Sequence, residues 1–220
     1  MRARYLVALA ILALALALAG CGGGGGGTTL VTTNITGRAV DIAGNGIDGA
    51  TVEVDTGAAA PISSATSGGG YYTLPGVPVN ADLTLIVHNS GNTYQYGGVR
   101  VNPPLSGPTT PMDIVVTSYA PSVGSTISIL PADSQIWATT NPSYRVVLDS
   151  NSSTVYAVWT VTGATGHVVD GEYFMLTPGP VGTTVRLRAM VRLSNGQVVT
   201  AERTMTVVPA DDDVPPPPPT

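Results

Sequence analysis

The chain has 220 residues, of which 43% are hydrophobic and 10% charged, with 27 Gly and 18 Pro. That apolar content suffices for one or two packed domains and excludes wholesale disorder. Nine basic residues against fourteen acidic ones give a net charge of −5. This balance argues against a nucleic-acid partner, which needs clustered positive charge. Every basic residue is Arg. Without Lys there is no Schiff-base chemistry, no P-loop phosphate site and no Lys–Asn isopeptide crosslink. The single Cys excludes an intramolecular disulfide.

The chain opens with the pattern of an export signal. Met1 to Arg4 is basic, and residues 5–19 are an apolar run after their leading Tyr5. At 1.5 Å per residue the run spans about 22 Å, short of the ~30 Å hydrocarbon core of a bilayer. It therefore reads as a signal-peptide core rather than a permanent span. It closes on Leu18-Ala19-Gly20-Cys21, which resembles the bacterial lipobox at every position. That resemblance implies cleavage between Gly20 and Cys21, and acylation of the Cys21 sulfur and its new amino group. Removing residues 1–20 takes away Arg2 and Arg4 and leaves seven basic residues against fourteen acidic, a charge of −7. Gly22 in place of Asp resembles the default sorting to the outer membrane of a Gram-negative envelope. Residues 21–29 then form a lipidated Cys and a Gly-rich tether, since six consecutive glycines hold neither helix nor strand.

Residues 30–118 read as short strands separated by turns. Ile35, Gly37 and Ala39 alternate with Thr36 and Arg38. After the turn at Gly44-Asn45-Gly46, Ala50, Val52 and Val54 alternate with polar residues. Gly68 to Gly70 lead into Tyr71-Tyr72-Thr73-Leu74. Leu83, Leu85 and Val87 mark another strand, and residues 112–117 the last. Ile35 to Ala39, Gly44 to Ile47, Gly49 to Val52, Gly70 to Leu74 and Leu83 to Val87 together resemble the carboxypeptidase regulatory-like family. That is a transthyretin-type sandwich akin to Cna B-type repeats, and it carries no catalytic residues of its own. Gly44 to Gly49 also fits G-x-G-x-x-G, but a strand follows it where a dinucleotide site needs a helix.

Residues 119–208 read as a second set of strands, at 126–130, 144–148, 155–162, 173–176, 184–193 and 198–208, with the inter-domain joint at Tyr119-Ala120-Pro121. The clearest hairpin turns at Ser194-Asn195-Gly196. A three-residue loop there pairs Val191 with Val199 and Ala189 with Ala201. Trp159 to Gly163, Gly166, and Asp170 to Tyr173 resemble the bacterial Ig-like family, with polycystic-kidney-disease-type domains close behind. The resemblance implies a Trp159 packed between two sheets, and a spacer or adhesion role. Arg186, Arg188 and Arg192 share one strand face, read as solvated or, alternatively, as an anion-binding face. Residues 209–220 form an acidic and polyproline tail suited to a spacer.

No catalytic constellation emerges. His88 stands at a strand end beside Asn89-Ser90-Gly91, and His167 in a Gly-rich turn region. No G-x-S-x-G elbow, paired metal ligands or acid/base carboxylate pair is present, so no catalytic, cofactor or metal residue is assigned. Tyrosines are the candidate ligand contacts. Tyr94 and Tyr96 share a strand face, and Tyr71 and Tyr72 lie in the same domain. The expectation is an all-β protein of two tandem β-sandwich domains, prealbumin-like then Ig-like, after a lipoprotein signal peptide. Its predicted setting is the bacterial cell envelope, the outer membrane by the Gly22 rule, with the membrane held through Cys21. An envelope protein or a glycan is the expected partner, and the modules bind or space at the surface. A carbohydrate-binding lipoprotein using tyrosines of the first domain is the alternative.

Overall fold

Alternating apolar residues and frequent turn signals leave this chain no route to a helix-period core, and strands result throughout. A computed structural model describes residues 30–103 and 109–210. The leader, the lipobox with Gly20 and Cys21, the glycine tether and the tail from residue 211 lie outside the described residues. Among the described residues there are strands and no helix. In chain order these are β1 (Thr32–Val40), β2 (Thr51–Asp55), β3 (Ile62–Ala65), β4 (Tyr71–Pro78), β5 (Asp82–Asn89), β6 (Asn92–Arg100) and β7 (Thr109–Val115). They continue with β8 (Ile127–Leu130), β9 (Gln135–Trp137), β10 (Ser143–Leu148), β11 (Thr154–Val155) and β12 (Val158–Thr162). The last are β13 (Ala164–Val169), β14 (Tyr173–Pro178), β15 (Thr184–Arg192) and β16 (Val198–Val208).

The strands form three sheets. A seven-stranded sheet runs β4-β1-β7-β12-β15-β16-β9, a four-stranded sheet β3-β2-β5-β6, and a five-stranded sheet β11-β10-β14-β13 with β8 also on β10. Two apolar cores result. The first gathers Ile35, Leu74, Leu85, Met112 and Ile114; the second gathers Tyr144, Trp159, Phe174, Leu187 and Val207. Neighbouring residues of the long sheet enter different cores: Val158 and Met190 the first, Trp159 and Ala189 the second. Successive side chains of a strand point to opposite faces. The four-stranded and five-stranded sheets therefore cover opposite faces of one shared sheet, each over its own end. Trp159 is buried between sheets and stacks on Phe174, with centroids 5.3 Å apart and planes 23° apart. Such ring pairs add about 0.5–1.5 kcal/mol beyond their buried area.

The hairpin of β15 and β16 has the register expected from its loop, with Val191 opposite Val199 and Ala189 opposite Ala201. Gly196 supplies the positive φ, 84°, that closes the turn. His167, expected in a turn, lies instead on β13, where it pairs with Met175 of β14. The Gly166 that suggested a turn is tolerated there because the Phe174 ring occupies the space a Cβ would fill.

Strand β7 is the element common to both ends of the long sheet. It runs parallel to β1 on one side and antiparallel to β12 on the other. Cutting the chain at residue 118 would strip Val158 and Met190 from the first core and leave β12 as a bare edge. Thermal unfolding is accordingly expected as one transition. Trp fluorescence, reporting the second core, and amide exchange of β5, reporting the first, should give the same midpoint, and two separated midpoints would contradict the shared-sheet account.

Candidate functional site

The four candidate tyrosines do not form one ligand face. Tyr72 alternates with Leu74 on β4 and points into the first core, 4% exposed, where its hydroxyl donates to the Met112 carbonyl. Tyr96 is also 4% exposed, and its hydroxyl donates to the Val115 carbonyl at 3.2 Å. Tyr94 does share a face with Tyr96, but that face is the inner one, because the two residues oppose Val87 and Leu85 in the ladder. Burial pushes the Tyr72 hydroxyl well above its ordinary pKa, reinforced by the Asp113 charge, and pushes Tyr96 up to about 12. These hydroxyls are structural donors. Tyr71 alone of the four is exposed, at 57%.

Tyr71 belongs to an open groove of about 460 Å³ where the edge strands β3 and β4 diverge. Its lining is Thr36, Ser64, Ala65, Ser67, Tyr71, Tyr72 and Thr73. The corner between the strands is fixed by backbone bonds between Ser67 and Tyr71 at 2.9 and 3.0 Å. Asp48 Oδ1 accepts from the Gly69 and Gly70 N–H groups. Arg38 lies 5.2 Å from the Tyr71 ring centroid, and its Nε donates to the Gly69 carbonyl. The groove thus offers one aromatic ring whose position is set by a cation–π contact, beside neutral hydroxyls that both donate and accept.

The arginines expected on one face of β15 largely hold the molecule together. Arg188 Nη1 donates to the Arg100 carbonyl at 2.8 Å, and Arg192 lies 5.8 Å from the Tyr96 ring centroid. Both contacts clamp β6 of the four-stranded sheet across β15. Burial lowers the Arg188 pKa from its ordinary value, with Glu202 opposing that shift. Arg186 makes no such contact.

His88 sits at the end of β5, as expected. With its proton on Nε2 it donates to Glu53 Oε2 at 3.3 Å, and Nδ1 accepts from the Thr93 hydroxyl at 3.1 Å. Hydroxyl, imidazole and carboxylate stand in the order of a nucleophile relay. Yet Thr93 and His88 are directly opposed ladder partners on an outward sheet face, so cross-strand pairing accounts for the geometry. Among the described residues no group of three His, Cys, Asp or Glu is placed to hold a metal ion.

The polar residue that composition gave least reason to single out is Asp113. It interrupts the apolar run of β7 and is 1% exposed. Beside it the ladder between β1 and β7 pairs Thr36 with Pro111 and resumes at Ala39 with Ile114. Pro111 has no N–H to donate, and in the gap side chains take over from backbone. Asp113 Oδ1 accepts from the Arg38 N–H at 2.9 Å, and Oδ2 accepts from the Val168 N–H of β13 at 2.6 Å. Gly37 makes room: a Cβ there would run into the Met112 carbonyl, the acceptor of the Tyr72 hydroxyl.

No family model matches the chain, and no curated protein matches its sequence.

Burial raises the Asp113 pKa to about 6, against the two N–H bonds and the Arg38 charge that pull it down. The native state therefore binds more protons than the unfolded chain between about pH 4 and pH 6. Stability contributed at this site is greatest below pH 4, falls as pH rises through that window, and is level above it. The full difference is roughly 3 kcal/mol. Asp113→Asn removes this titration. Denaturant melts from pH 4 to pH 7 should show the parent protein losing about that amount relative to the variant; parallel profiles would show an ordinary carboxyl.

Proposed function

We propose that this is a non-catalytic lipoprotein of the bacterial cell envelope, held to the membrane through acylated Cys21. Its β-sheet modules stand off the lipid on the glycine tether and bind or space at the surface. One observation carries the reading: the basic start, the apolar run of residues 5–19 and the lipobox Leu18-Ala19-Gly20-Cys21 follow each other in the order that export and lipidation require. More than one acyl chain makes such an anchor stable, at about 0.8 kcal/mol per buried CH₂. The Gly22 rule favours the outer membrane. Resemblance to carboxypeptidase regulatory-like and bacterial Ig-like domains supports a binding or spacing role over catalysis, and the all-β architecture with Trp159 between its sheets agrees with both.

Mass spectrometry of the native protein is expected to find Cys21 as the first residue, carrying fatty acid. Cys21→Ala should move the protein out of the membrane fraction. An intact Met1 terminus, or unchanged fractionation of the variant, refutes the anchor.

The groove favours a second reading, recognition of a neutral glycan. Pyranose rings stack on an exposed aromatic face, and sugar hydroxyls pair with the Thr and Ser groups around Tyr71. On a glycan array the full chain should retain a neutral oligosaccharide, and Tyr71→Ala should lose it. Tyr94→Ala, which changes only the inner face, provides the control. Retention that survives Tyr71→Ala sinks this reading.

A further inference from the structure

One row on the outward face of the five-stranded sheet is largely apolar, although Thr165, His167 and Thr177 make the neighbouring rows polar. Tyr144, Val146, Ile129, Phe174 and Val168 turn into the second core. Their neighbours along each strand therefore turn outward, and the ladder sets Leu130, Arg145, Tyr173 and Val169 in one row across β8, β10, β14 and β13. Met175 stands in the next row, opposite Ser143. All but Ser143 are half-buried. Leu130, Pro131, Ser143, Arg145 and Tyr173 together line a recess of about 350 Å³.

Arg145 is the one charged residue lining it, and among the described residues it shares with Arg186 the lack of a carboxylate or hydrogen-bond partner. Arg100 pairs with Asp82 at 3.0 Å, Arg203 donates to the Ile129 carbonyl, and Arg38, Arg188 and Arg192 have the partners described above. Arg145 has no carboxylate within 4.0 Å and no hydrogen bond among the described residues. In a chain with five more acidic than basic residues, Arg145 is a half-buried residue whose charge has no protein partner beside the apolar Leu130 and Tyr173. A guanidinium presents a rigid fork of donors that fits a carboxylate with two parallel bonds. Recesses of 300 Å³ and above, mostly apolar with a few placed polar groups, are the usual form of small-ligand sites.

We infer that this recess is a binding site for a small amphipathic monocarboxylate, its carboxylate paired with Arg145 and its apolar body lying against Leu130, Pro131 and Tyr173. The site lies on a different sheet from the Tyr71 groove and is independent of the glycan reading; only the choice of nanodiscs in its test rests on the anchor reading, and recovery of the chain with the nanodiscs checks that separately.

The test is isothermal titration of the full chain, held in phosphatidylcholine nanodiscs, with phenylacetate. Phenylacetamide supplies the same body without charge, and acetate and inorganic phosphate supply charge without the body. Arg145→Gln in the same nanodiscs removes the lipid-partition background, and Trp fluorescence confirms its fold. Saturable binding of phenylacetate is expected, with each control compound weaker by about tenfold or more, and about a tenfold or greater loss in Arg145→Gln. Arg145→Lys keeps the charge without the fork and should fall between the two. The inference is overturned by phenylacetamide or phosphate binding as well as phenylacetate, by equal binding to Arg145→Gln, or by no saturable heat at all.

Discussion

A buried carboxylate at the meeting point of three strands organises this molecule. Asp113 rises from β7, accepts the Arg38 N–H of β1 with one oxygen and the Val168 N–H of β13 with the other, and so ties the long sheet to the edge of the five-stranded sheet. A buried N–H without a partner costs about 1–3 kcal/mol, and here two such groups share one acceptor. A side chain with a single acceptor oxygen would leave one of the two N–H groups without its partner. It would also fail without Gly37, since a Cβ there would displace the Met112 carbonyl that takes the Tyr72 hydroxyl. Proline, aspartate, glycine and tyrosine thus replace a stretch of backbone ladder that Pro111 cannot complete.

The same logic explains how the two cores stay in register. Because β7 has a partner on each side, neither end of the long sheet has to end in an exposed edge at the join. Arg188 and Arg192 then fasten β6 over β15, through a carbonyl and through the Tyr96 ring. With no Lys in the chain, every such bridge uses a guanidinium, whose planar fork reaches carbonyls and aromatic faces at once. Five of the seven arginines among the described residues are committed to architecture, and of the two left over Arg145 lines a recess.

The proposed activities occupy surfaces that the scaffold leaves free. The groove beside Tyr71 opens where two edge strands part, and the Arg145 recess lies on the solvent face of another sheet. The Arg145 recess borrows no residue from the Asp113 tie, whereas the Tyr71 groove shares Tyr72 and Arg38 with it.

Local pattern was enough to reveal strands without helices and the β15–β16 register, because period-2 alternation and turn chemistry act over a few residues, while the buried Trp159 was implied by the Ig-like resemblance. The reading of the leader and Cys21 rests on a linear signal that lies outside the described residues. Alternation with Leu74 already carried the inward direction of Tyr72. For Tyr94 and Tyr96 the sequence showed a common face but not which one, since that depends on pairing with Leu85 and Val87. Strand β13 was masked by Gly166 and His167, whose weak strand preference is overridden by the ladder to β14. Asp113 in an apolar run was a visible oddity, yet its partners are 75 and 55 residues away in the chain. The sequence by itself therefore determined the element type and which residues of a strand share a face. Only the tertiary structure decided which faces meet, that one sheet serves both cores, and which charges were left unanswered, because each of these depends on contacts between segments that sequence spacing does not relate.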